Sequence, residues 1–329
     1  MVMAAGLGTR LRPLTYDVPK PLVPVANRPV MEHILLLLRK HGFGPLIANL
    51  HWFPDTIRDL FGDGSVLGVD LTYSYEDELL GTAGGVRNVA EFFGDEPFLV
   101  MAADALTDID LAALRAAHEA NDGIATLAVK RVSEVSEFGV VITDSAGRIQ
   151  GFQEKPDPAE ALSDLASCMI YVLDREIFDY FPSKPVVDFA REVFPALLSN
   201  DVPFHVHQID AYWNDVGSLP EYLRGNLDAV QGAVQVELAG ELLEPSGGDD
   251  ALERGDPGIG GRVLAEEGCE IGAGVRLDGP LVIGRGCTIG AGARVKESVV
   301  LPGAEVPPGA LVASAIYGRE AAGPKGPSR

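Results

Sequence analysis

The segment Ala4–Pro21 reads AAGLGTRLRPLTYDVPKP and lies at the start of the 329-residue chain. Gly6 and Gly8 allow the backbone to bend close to a ligand, and exposed N–H groups in such a turn can bind phosphate oxygens. Arg10 can hold two phosphate oxygens with its planar guanidinium group, while Lys20 supplies a compact charge from a stiff backbone between two prolines. The segment therefore predicts a phosphate-binding loop that follows a short strand.

Two common phosphate loops are excluded by the spacing. The GxxxxGK[ST] pattern of a P-loop is absent, and Leu11 stands where the third glycine of GxGxxG would be. The glycines alone would equally suit an ordinary turn between a strand and a helix, so the interpretation depends on the whole segment. Because only Met1–Ala5 precede the first glycine, we hypothesise that the natural start lies a few residues upstream.

Short apolar runs alternate with helix-like segments over the first two thirds of the chain. Runs of strand length are Phe98–Met101, Ile124–Val129 and Gly139–Ile142, and amphipathic stretches are Val30–Lys40 and Leu111–Ala120. Alternation of strand and helix predicts an α/β fold with a Rossmann-like, mixed and mostly parallel sheet that is covered on both faces.

Aliphatic residues recur at intervals of six towards the carboxyl end: Ile259, Ala265, Ile271, Leu277, Ile283, Ile289, Val295 and Leu301. A hexapeptide period predicts a short left-handed parallel β-helix, here of under three coils. We therefore predict a first domain over residues 1–228, a Gly-, Pro- and acid-rich linker over 229–257, the β-helix over 258–318 and a disordered tail over 319–329.

The bulk composition limits the partners and the compartment. The formal net charge is −22, so the broad basic face that nucleic acid requires is absent, and an anionic membrane surface would repel the chain. The three cysteines are widely spaced and form no CxxC, which fits a reducing compartment. No apolar run is long enough to span a membrane, and no signal peptide is visible. We expect a cytoplasmic protein without nucleic-acid or membrane partners.

The string Gly6–Thr15, followed by Pro19–Pro21, resembles the GxGTRLxPLT…PKP signature of the sugar-1-phosphate nucleotidyltransferases. Further segments resemble this family in the same order: LGTAGG at Leu80–Gly85, FGVV at Phe138–Val141, FQEKP at Phe152–Pro156, EVFP at Glu192–Pro195 and WNDVG at Trp213–Gly217. The resemblance covers roughly residues 1–228. It implies a glycosyltransferase-A-like sheet and an enzyme that joins a nucleoside triphosphate to a sugar 1-phosphate and releases pyrophosphate.

The resemblance also implies roles for individual residues. The catalytic residues would be Arg10, Lys20, Asp104 and Asp215. The two aspartates would bind Mg²⁺, which prefers carboxylate and phosphate oxygens. Asp104 directly follows the apolar run Phe98–Met101, and ligands bind at the carboxyl ends of parallel strands.

The remaining implied contacts divide between the nucleotide and the sugar. Residues expected to contact the nucleotide are Ala4, Ala5, Gly6, Gly8, Thr9, Arg10, Lys20, Gly81, Thr82 and Gly84. Residues expected to contact the sugar phosphate are Gly139, Glu154, Lys155 and Glu192. The nearby acids Asp108 and Asp110 are interpreted as capping or solvated, and His51, His205 and His207 as structural or solvated.

The substrates are less well determined than the reaction. Together the segments look most like those of mannose-1-phosphate guanylyltransferases, which favours GTP and mannose 1-phosphate as substrates and GDP-mannose as product. Uridylyl- and thymidylyltransferases that act on glucose 1-phosphate share nearly all of them and remain an alternative. Many relatives carry an Asn before a Gly where this chain has Ser167 and Cys168, and a Gly where it has Ala102–Ala103. These departures bear on the sugar more than on the reaction.

Two other function classes fit less well. A regulatory homologue that binds nucleotide sugar without turnover should lack Arg10, Lys20 or one of the two aspartates, and all are present. A hexapeptide acyltransferase would need more coils and usually a catalytic histidine, and residues 259–318 contain none. We therefore interpret the β-helix as a packing module that makes the protein a homo-oligomer.

Overall fold

A computed structural model describes residues 1–246 and 256–318 of the chain. Within these residues the α-helices are α1 (Val30–Lys40), α2 (Pro54–Phe61), α3 (Gly81–Asn88), α4 (Leu111–Glu119), α5 (Phe194–Ser199) and α6 (Leu219–Gln231). The predicted amphipathic helix Val30–Lys40 is confirmed, and its apolar face (Ile34, Leu35 and Leu38) is buried. None of the helices in the described residues has the length and apolar character that crossing a membrane requires.

The strands before α6 are short. They are β1 (Val2–Met3), β2 (Pro24–Val25), β3 (Arg28–Pro29), β4 (Leu46–Leu50), β5 (Leu71–Tyr75), β6 (Phe98–Ala102), β7 (Leu106–Thr107), β8 (Ala125–Arg131), β9 (Gly139–Thr143), β10 (Ile149–Glu154), β11 (Leu165–Leu173), β12 (His205–Gln208) and β13 (Trp213–Asn214).

The strands after α6 are shorter still and closely spaced. They are β14 (Glu241–Leu243), β15 (Gly258–Gly260), β16 (Val263–Ala265), β17 (Glu270–Ile271), β18 (Arg276–Asp278), β19 (Leu281–Ile283), β20 (Thr288–Ile289), β21 (Arg294–Lys296), β22 (Val299–Val300), β23 (Glu305–Val306), β24 (Leu311–Ala313) and β25 (Ile316–Tyr317).

Contacts between residues divide the chain into two compact units. Unit 1 comprises Met1–Leu7, Ile34–Ala105 and Ile109–Trp213. Unit 2 comprises Gly8–His33, Leu106–Asp108 and the described residues from Asn214 onwards. The units follow contacts rather than chain order, so the linear domain boundaries at residues 228 and 258 stay a prediction. The predicted disordered tail, residues 319–329, lies outside the described residues.

Unit 1 is built on one mixed sheet, which confirms the predicted α/β fold. The strand order is β10-β9-β11-β6-β1-β4-β5, and β8 pairs with both β11 and β12. β1 is parallel to β4 and β6, and β11 runs antiparallel to β6, β8 and β9. Because parallel strands end at the same edge, the residues that follow β1 and β6 are brought close together.

Unit 2 contains the repeat, whose strands stack in three parallel sheets and confirm a β-helix. The sheet orders are β16-β19-β22-β25, β15-β18-β21-β24 and β17-β20-β23, and β14 adds to β16 in antiparallel orientation. Aliphatic side chains fill the interior, where Leu277, Ile283, Ile289 and Val295 are fully buried. β14 lies inside the predicted linker, so these three residues form a strand rather than loose coil.

The prediction of under three coils is wrong, because the repeat changes its spacing. Ile271 pairs with Ile289, eighteen residues later, whereas Ile283 pairs with Val300, seventeen residues later. The six-residue phase that ends on Leu301 therefore loses its register, although the coils continue through β25. Two of the three sheets contain four stacked parallel strands, so the described residues form more than three coils.

The β-helix is held within unit 2 by the hairpin β2–β3. Asn27 at the tip of this hairpin donates hydrogen bonds from Nδ2 to the carbonyl of Ala239 (3.2 Å) and to that of Ile283 in β19 (3.1 Å). The N–H of Ala26 donates to Asn226 Oδ1 in α6 (2.8 Å), and α6 packs against β19. The hairpin, α6 and the repeat therefore form one interlocked structure.

Replacing Asn27 with alanine is expected to lower the free energy of unfolding by about 2 kcal/mol, because two part-buried carbonyls lose their donor. Asn27 also has a φ of 64°, which asparagine tolerates better than alanine. Urea denaturation would measure the loss. In the control variant Asn200→Ala, the lost amide bonds only to groups near the end of α5, and we expect a much smaller change. Equal losses in the two variants would contradict the bridging role.

Candidate active site

The carboxyl edge of the unit 1 sheet gathers residues from three parallel strands. Met3 in β1 lies opposite both Ala102 in β6 and Asn49 in β4. Ala4 follows β1 and is buried, and Asp104 follows β6 and is half-buried. The structure thus brings the first residue of the glycine-rich segment and the predicted metal-binding aspartate to one edge of the sheet.

Asn49 and Glu76 form a buried polar pair at this edge, and no sequence pattern pointed to them. Asn49 accepts the N–H of Ala4 at Oδ1 (2.9 Å) and donates from Nδ2 to Glu76 Oε1 (2.7 Å). Glu76 accepts the N–H of Leu80 at Oε2 (3.0 Å). The only local sign in the sequence is a polar residue inside the otherwise apolar run Leu46–Leu50.

The LGTAGG segment begins helix α3 and is hydrogen-bonded to the backbone of Val187. The carbonyl of Val187 accepts the N–H groups of Ala83 (3.0 Å) and Gly84 (2.9 Å), while its own N–H donates to Leu80 (2.8 Å). Gly81 has a φ of +78°, and a Cβ there would lie 2.5 Å from the Val187 carbonyl oxygen. A glycine is therefore required at the first residue of α3.

Thr82 and Glu192 engage the segment that follows Val187. Thr82 Oγ1 donates to Asp188 Oδ2 (2.8 Å), and Glu192 Oε2 accepts the N–H of Asp188 (2.7 Å). Glu192 Oε1 accepts from Lys184 Nζ (2.9 Å). The bond from the Asp188 N–H and the charge of Lys184 lower the pKa of Glu192 below its usual value. Glu192 therefore stabilises the segment at Asp188, which is bonded to Thr82 of the LGTAGG segment. Its contact with the sugar stays a prediction.

The residues predicted to contact the sugar phosphate meet at the hairpin β9–β10. Gly139 and Glu154 pair directly across the two strands, and the N–H of Lys155 donates to the carbonyl of Phe138 (3.1 Å). A Cβ at residue 139 would lie 3.1 Å from Glu154 Oε2. The side chains of Glu154 and Lys155 are exposed, so this hairpin presents an acid and a base to solvent.

Within unit 2, the second half of the glycine-rich segment packs on Lys20. Gly8 has a φ of +62°, and a Cβ there would lie 2.9 Å from the Cβ of Lys20 and 3.1 Å from Thr15 Cγ2. The carbonyl of Gly8 accepts hydrogen bonds from Thr15 Oγ1 (2.7 Å) and from the N–H of Leu11 (3.0 Å). The TRLRPLT residues therefore form a compact turn that fixes the Lys20 stem.

The structure also brings Arg10, Lys20 and Asp215 together. Lys20 Nζ donates to the Asp215 carbonyl (3.2 Å), and Arg10 Nη2 lies 3.8 Å from Asp215 Oδ2. Asp215 Oδ1 accepts the N–H of Gly217 (3.1 Å), where a Cβ would lie 2.4 Å from Oδ2. The side chain of Arg10 is 55% exposed, so its guanidinium can also reach solvent-borne anions.

Metal binding by Asp104 and Asp215 stays a prediction at this point. In residues 1–246 and 256–318, no group of three or more His, Cys, Asp or Glu side chains could hold a metal ion. Mg²⁺ commonly takes one or two protein carboxylates and completes its shell with phosphates and water. Each oxygen of the Asp215 carboxylate has two lone pairs, and the Gly217 N–H uses one of those on Oδ1.

The neighbouring acids and two of the histidines make structural contacts, whereas the interpretation of His207 as structural or solvated stays a prediction. Asp110 caps helix α4 by accepting the N–H of Ala113 (3.0 Å), and Asp108 accepts that of Gln235 (2.9 Å). A ring nitrogen of His51 lies 2.8 Å from the Glu76 carbonyl, and one of His205 lies 3.0 Å from Asp122.

Strand β11 contains Ser167 and Cys168, where many relatives carry an Asn before a Gly. Burial raises the pKa of the Cys168 thiol, which points away from solvent. The pairing with β8 shifts between Ser167 and Tyr171, and Met169 there has a φ of +55°. A long side chain is strained in this left-handed backbone, so the bulge is an irregularity that the apolar pattern did not predict.

Replacing Gly8 with alanine is expected to lower the free energy of unfolding by about 1–2 kcal/mol, the usual strain of a non-glycine residue at positive φ. It should also raise the KM for the nucleoside triphosphate that the family resemblance implies, because the new Cβ displaces the Lys20 stem. The control is Gly42→Ala, where φ is +74° but nothing lies near the added Cβ. That variant should lose similar stability with an unchanged KM. An unchanged KM in Gly8→Ala would contradict the proposed effect of the contact between Gly8 and the Lys20 stem.

Comparison with known proteins places two family models on the chain. A model described as nucleotidyl transferase matches residues 1–232, and one described as GMPPB C-terminal domain matches residues 259–323.

Curated relatives match over most of their length. A UTP–glucose-1-phosphate uridylyltransferase from Synechocystis is 36% identical, covering 97% of this chain and 87% of the relative. A mannose-1-phosphate guanylyltransferase from Mycobacterium tuberculosis is 37% identical, covering 86% of this chain and 79% of the relative. The solved structure of HddC from Yersinia pseudotuberculosis, complexed with GMP-PN, has a TM-score of 0.58 at 22% identity and covers 68% of this chain and 96% of HddC. At that identity the likeness shows the fold alone.

Proposed function

The chain belongs to the nucleotidyl transferase family, and from this we propose that it joins a nucleoside triphosphate to a sugar 1-phosphate and releases pyrophosphate. The observation that carries the proposal is the cationic turn of unit 2, in which Arg10 and Lys20 both contact Asp215. Such a concentration of positive charge in a chain of net charge −22 favours an anionic substrate. The names of the curated relatives, which transfer nucleotides to sugar 1-phosphates, support the same reaction.

The proposed chemistry is an in-line displacement at the α-phosphorus. An oxygen of the sugar phosphate forms a bond to the α-phosphorus, and the bond from that phosphorus to the bridging oxygen breaks. The electron pair leaves with pyrophosphate, and no protein nucleophile is required. The protein must position two anions and stabilise the charge that moves onto the leaving group. We assign that stabilisation to Lys20 and Arg10. The turn around Gly8 holds the stem of Lys20.

We assign metal binding to Asp104 and Asp215. Both are half-buried carboxylates on the segments that the family resemblance identifies, and hard oxygen donors suit Mg²⁺. A bound Mg²⁺ would neutralise charge on the triphosphate and on the departing pyrophosphate. The hydrogen bond from Gly217 would fix the orientation of the Asp215 carboxylate.

We assign the sugar phosphate to the hairpin β9–β10. Lys155 would pair with the phosphate, and Glu154 would accept hydrogen bonds from sugar hydroxyl groups. The N–H of Gly139 offers a further donor beside Glu154. The side chains of Glu154 and Lys155 are both exposed, so both are accessible to a ligand.

We propose GTP and mannose 1-phosphate as the substrates, with UTP or dTTP and glucose 1-phosphate as the second candidate. The match of residues 259–323 to the GMPPB C-terminal domain favours the first pair. The second pair is supported by the Synechocystis uridylyltransferase, which is 36% identical over 97% of this chain, whereas the guanylyltransferase is 37% identical over 86%. A pyrophosphate-release screen that crosses the common nucleoside triphosphates with a panel of sugar 1-phosphates tests both the reaction and the identity of its substrates. Release with one pair identifies the substrates, and a folded protein that releases none with any pair would refute the reaction.

We also propose that the protein is a cytoplasmic homo-oligomer that associates through the β-helix. Light scattering on the full chain measures the molar mass, and a value of one chain at working concentration would contradict self-association.

A further inference from the structure

We propose that Asn49 and Glu76 are positioning residues for the nucleoside triphosphate, because together they fix the spacing between the glycine-rich segment and the LGTAGG segment. We call this pair the amide–carboxylate clasp. The inference rests on the proposed function, since it assigns the clasp to the nucleotide and not to the sugar phosphate.

The clasp is a continuous chain of three hydrogen bonds within unit 1. It runs from the N–H of Ala4 to Asn49 Oδ1 (2.9 Å), from Asn49 Nδ2 to Glu76 Oε1 (2.7 Å), and from the N–H of Leu80 to Glu76 Oε2 (3.0 Å). Its two ends are backbone groups, one at the start of each segment expected to contact the nucleotide. A shift of either side chain therefore moves the backbone of a binding segment.

Only one arrangement of donors and acceptors satisfies all three hydrogen bonds of the clasp. The Ala4 N–H is a donor, so the atom of Asn49 that faces it must be the amide oxygen, and the amide nitrogen must then face Glu76. A carboxylate is the partner that can accept both this N–H and that of Leu80. Aspartate in place of Asn49, or glutamine in place of Glu76, would each leave two like groups facing one another.

Burial makes the clasp costly to break. Asn49 is 4% exposed and Glu76 is 6% exposed, so water has little access to replace a lost partner. Gly85 in α3 packs directly on the clasp, where a Cβ would lie 2.6 Å from Glu76 Oε1 and 2.7 Å from Asn49 Nδ2. The last glycine of LGTAGG therefore leaves room for the clasp. The β-strands that hold Asn49 and Met3 are paired, so the Ala4 end is rigid as well.

The test is an exchange of polarity. In the single variants Asn49→Asp and Glu76→Gln, one of the three bonds is replaced by a repulsive contact. When both substitutions are combined, the introduced carboxylate accepts from the N–H of Ala4 and from the introduced amide group. The oxygen of that amide then accepts from the N–H of Leu80. All three bonds are thereby restored with the same net charge.

We expect each single variant to raise the KM and the calorimetric Kd for GTP and UTP by about tenfold, the factor that one broken buried hydrogen bond implies. The KM for the sugar 1-phosphate should change by less than about twofold, and the double variant should return the nucleotide constants to within about threefold of the parent. Glu76→Gln is the milder single change. It still tests the effect of the clasp on nucleotide binding if Asn49→Asp does not fold.

The control is Thr126→Val, which removes a fully buried hydroxyl in contact with His118 and Asn121 elsewhere in unit 1. It should lower the melting temperature without a selective change for the nucleotide. The inference is overturned if the single variants change the constants for both substrates equally, if the double variant does not recover, or if the parent protein binds none of GTP, UTP and dTTP. A parent that binds nucleotide but releases no pyrophosphate with any sugar 1-phosphate would refute the proposed function alone, because the calorimetric comparison would still apply.

Discussion

Replacing Lys20 with alanine is expected to lower kcat/KM by about a hundredfold, which corresponds to about 3 kcal/mol of lost transition-state stabilisation. The ammonium group would no longer neutralise charge on the transferring phosphate, and the Asp215 carbonyl would lose its bond from Nζ. The fold should be kept, because alanine retains the Cβ that packs on Gly8. Steady-state pyrophosphate release measures the loss, and circular dichroism shows whether the fold is kept.

The matched control for Lys20 is Lys40→Ala, which removes an exposed lysine from the last turn of α1. It changes the net charge equally and should leave kcat/KM within about twofold of the parent, as expected for a screened surface charge. Lys20→Arg should recover only part of the activity, since a planar guanidinium does not match a compact ammonium. If Lys20→Ala turned over at nearly the parent rate, the role that we assign to the cationic turn would be wrong.

The second large effect is expected from Asp104→Asn, which keeps the shape of the side chain and removes its charge. We expect a loss of about a hundredfold or more in kcat, because an amide oxygen binds Mg²⁺ less well than a carboxylate does. Titration of Mg²⁺ during pyrophosphate release should show a higher half-saturating concentration.

The control for Asp104 is Asp110→Asn, six residues along the chain. Asp110 caps α4 through its side-chain oxygen, a function that asparagine also performs. This variant loses the same charge and should retain its activity and its Mg²⁺ dependence. Comparable losses in the two variants would mean that general electrostatics, and not a metal contact, explains the effect of Asp104.

Local sequence patterns predicted much of the fold, because these features depend on interactions between residues that are close together in the sequence. The apolar face of α1, the strand β6 and the backbone bend at Gly8 all follow from residues a few positions apart. The six-residue period likewise predicted the β-helix, because each coil repeats the same inward position.

Contacts between distant residues were not predictable in this way. The pairing of Asn49 with Glu76 depends on the order of strands in the sheet, which no spacing in the sequence specifies. The shortened spacing before Val300 is visible only once its strand is seen beside β19. The bonds of Glu192 to Lys184 and Asp188 depend on a turn that the EVFP pattern does not describe.

The hairpin β2–β3 begins two residues after the turn that carries Lys20, and its tip is hydrogen-bonded to β19. This arrangement has a consequence for protein engineering. If the repeat were exchanged for that of a relative at the Gly- and Pro-rich stretch before residue 256, the bond from Asn27 to Ala239 would be kept. The bond from Asn27 to the backbone carbonyl at position 283 would have to form again with the new repeat. A graft that moved residues 24–29 together with the repeat would instead separate the hairpin from Asn226 and Ala239, so no single junction along the chain keeps all of these bonds within one parent.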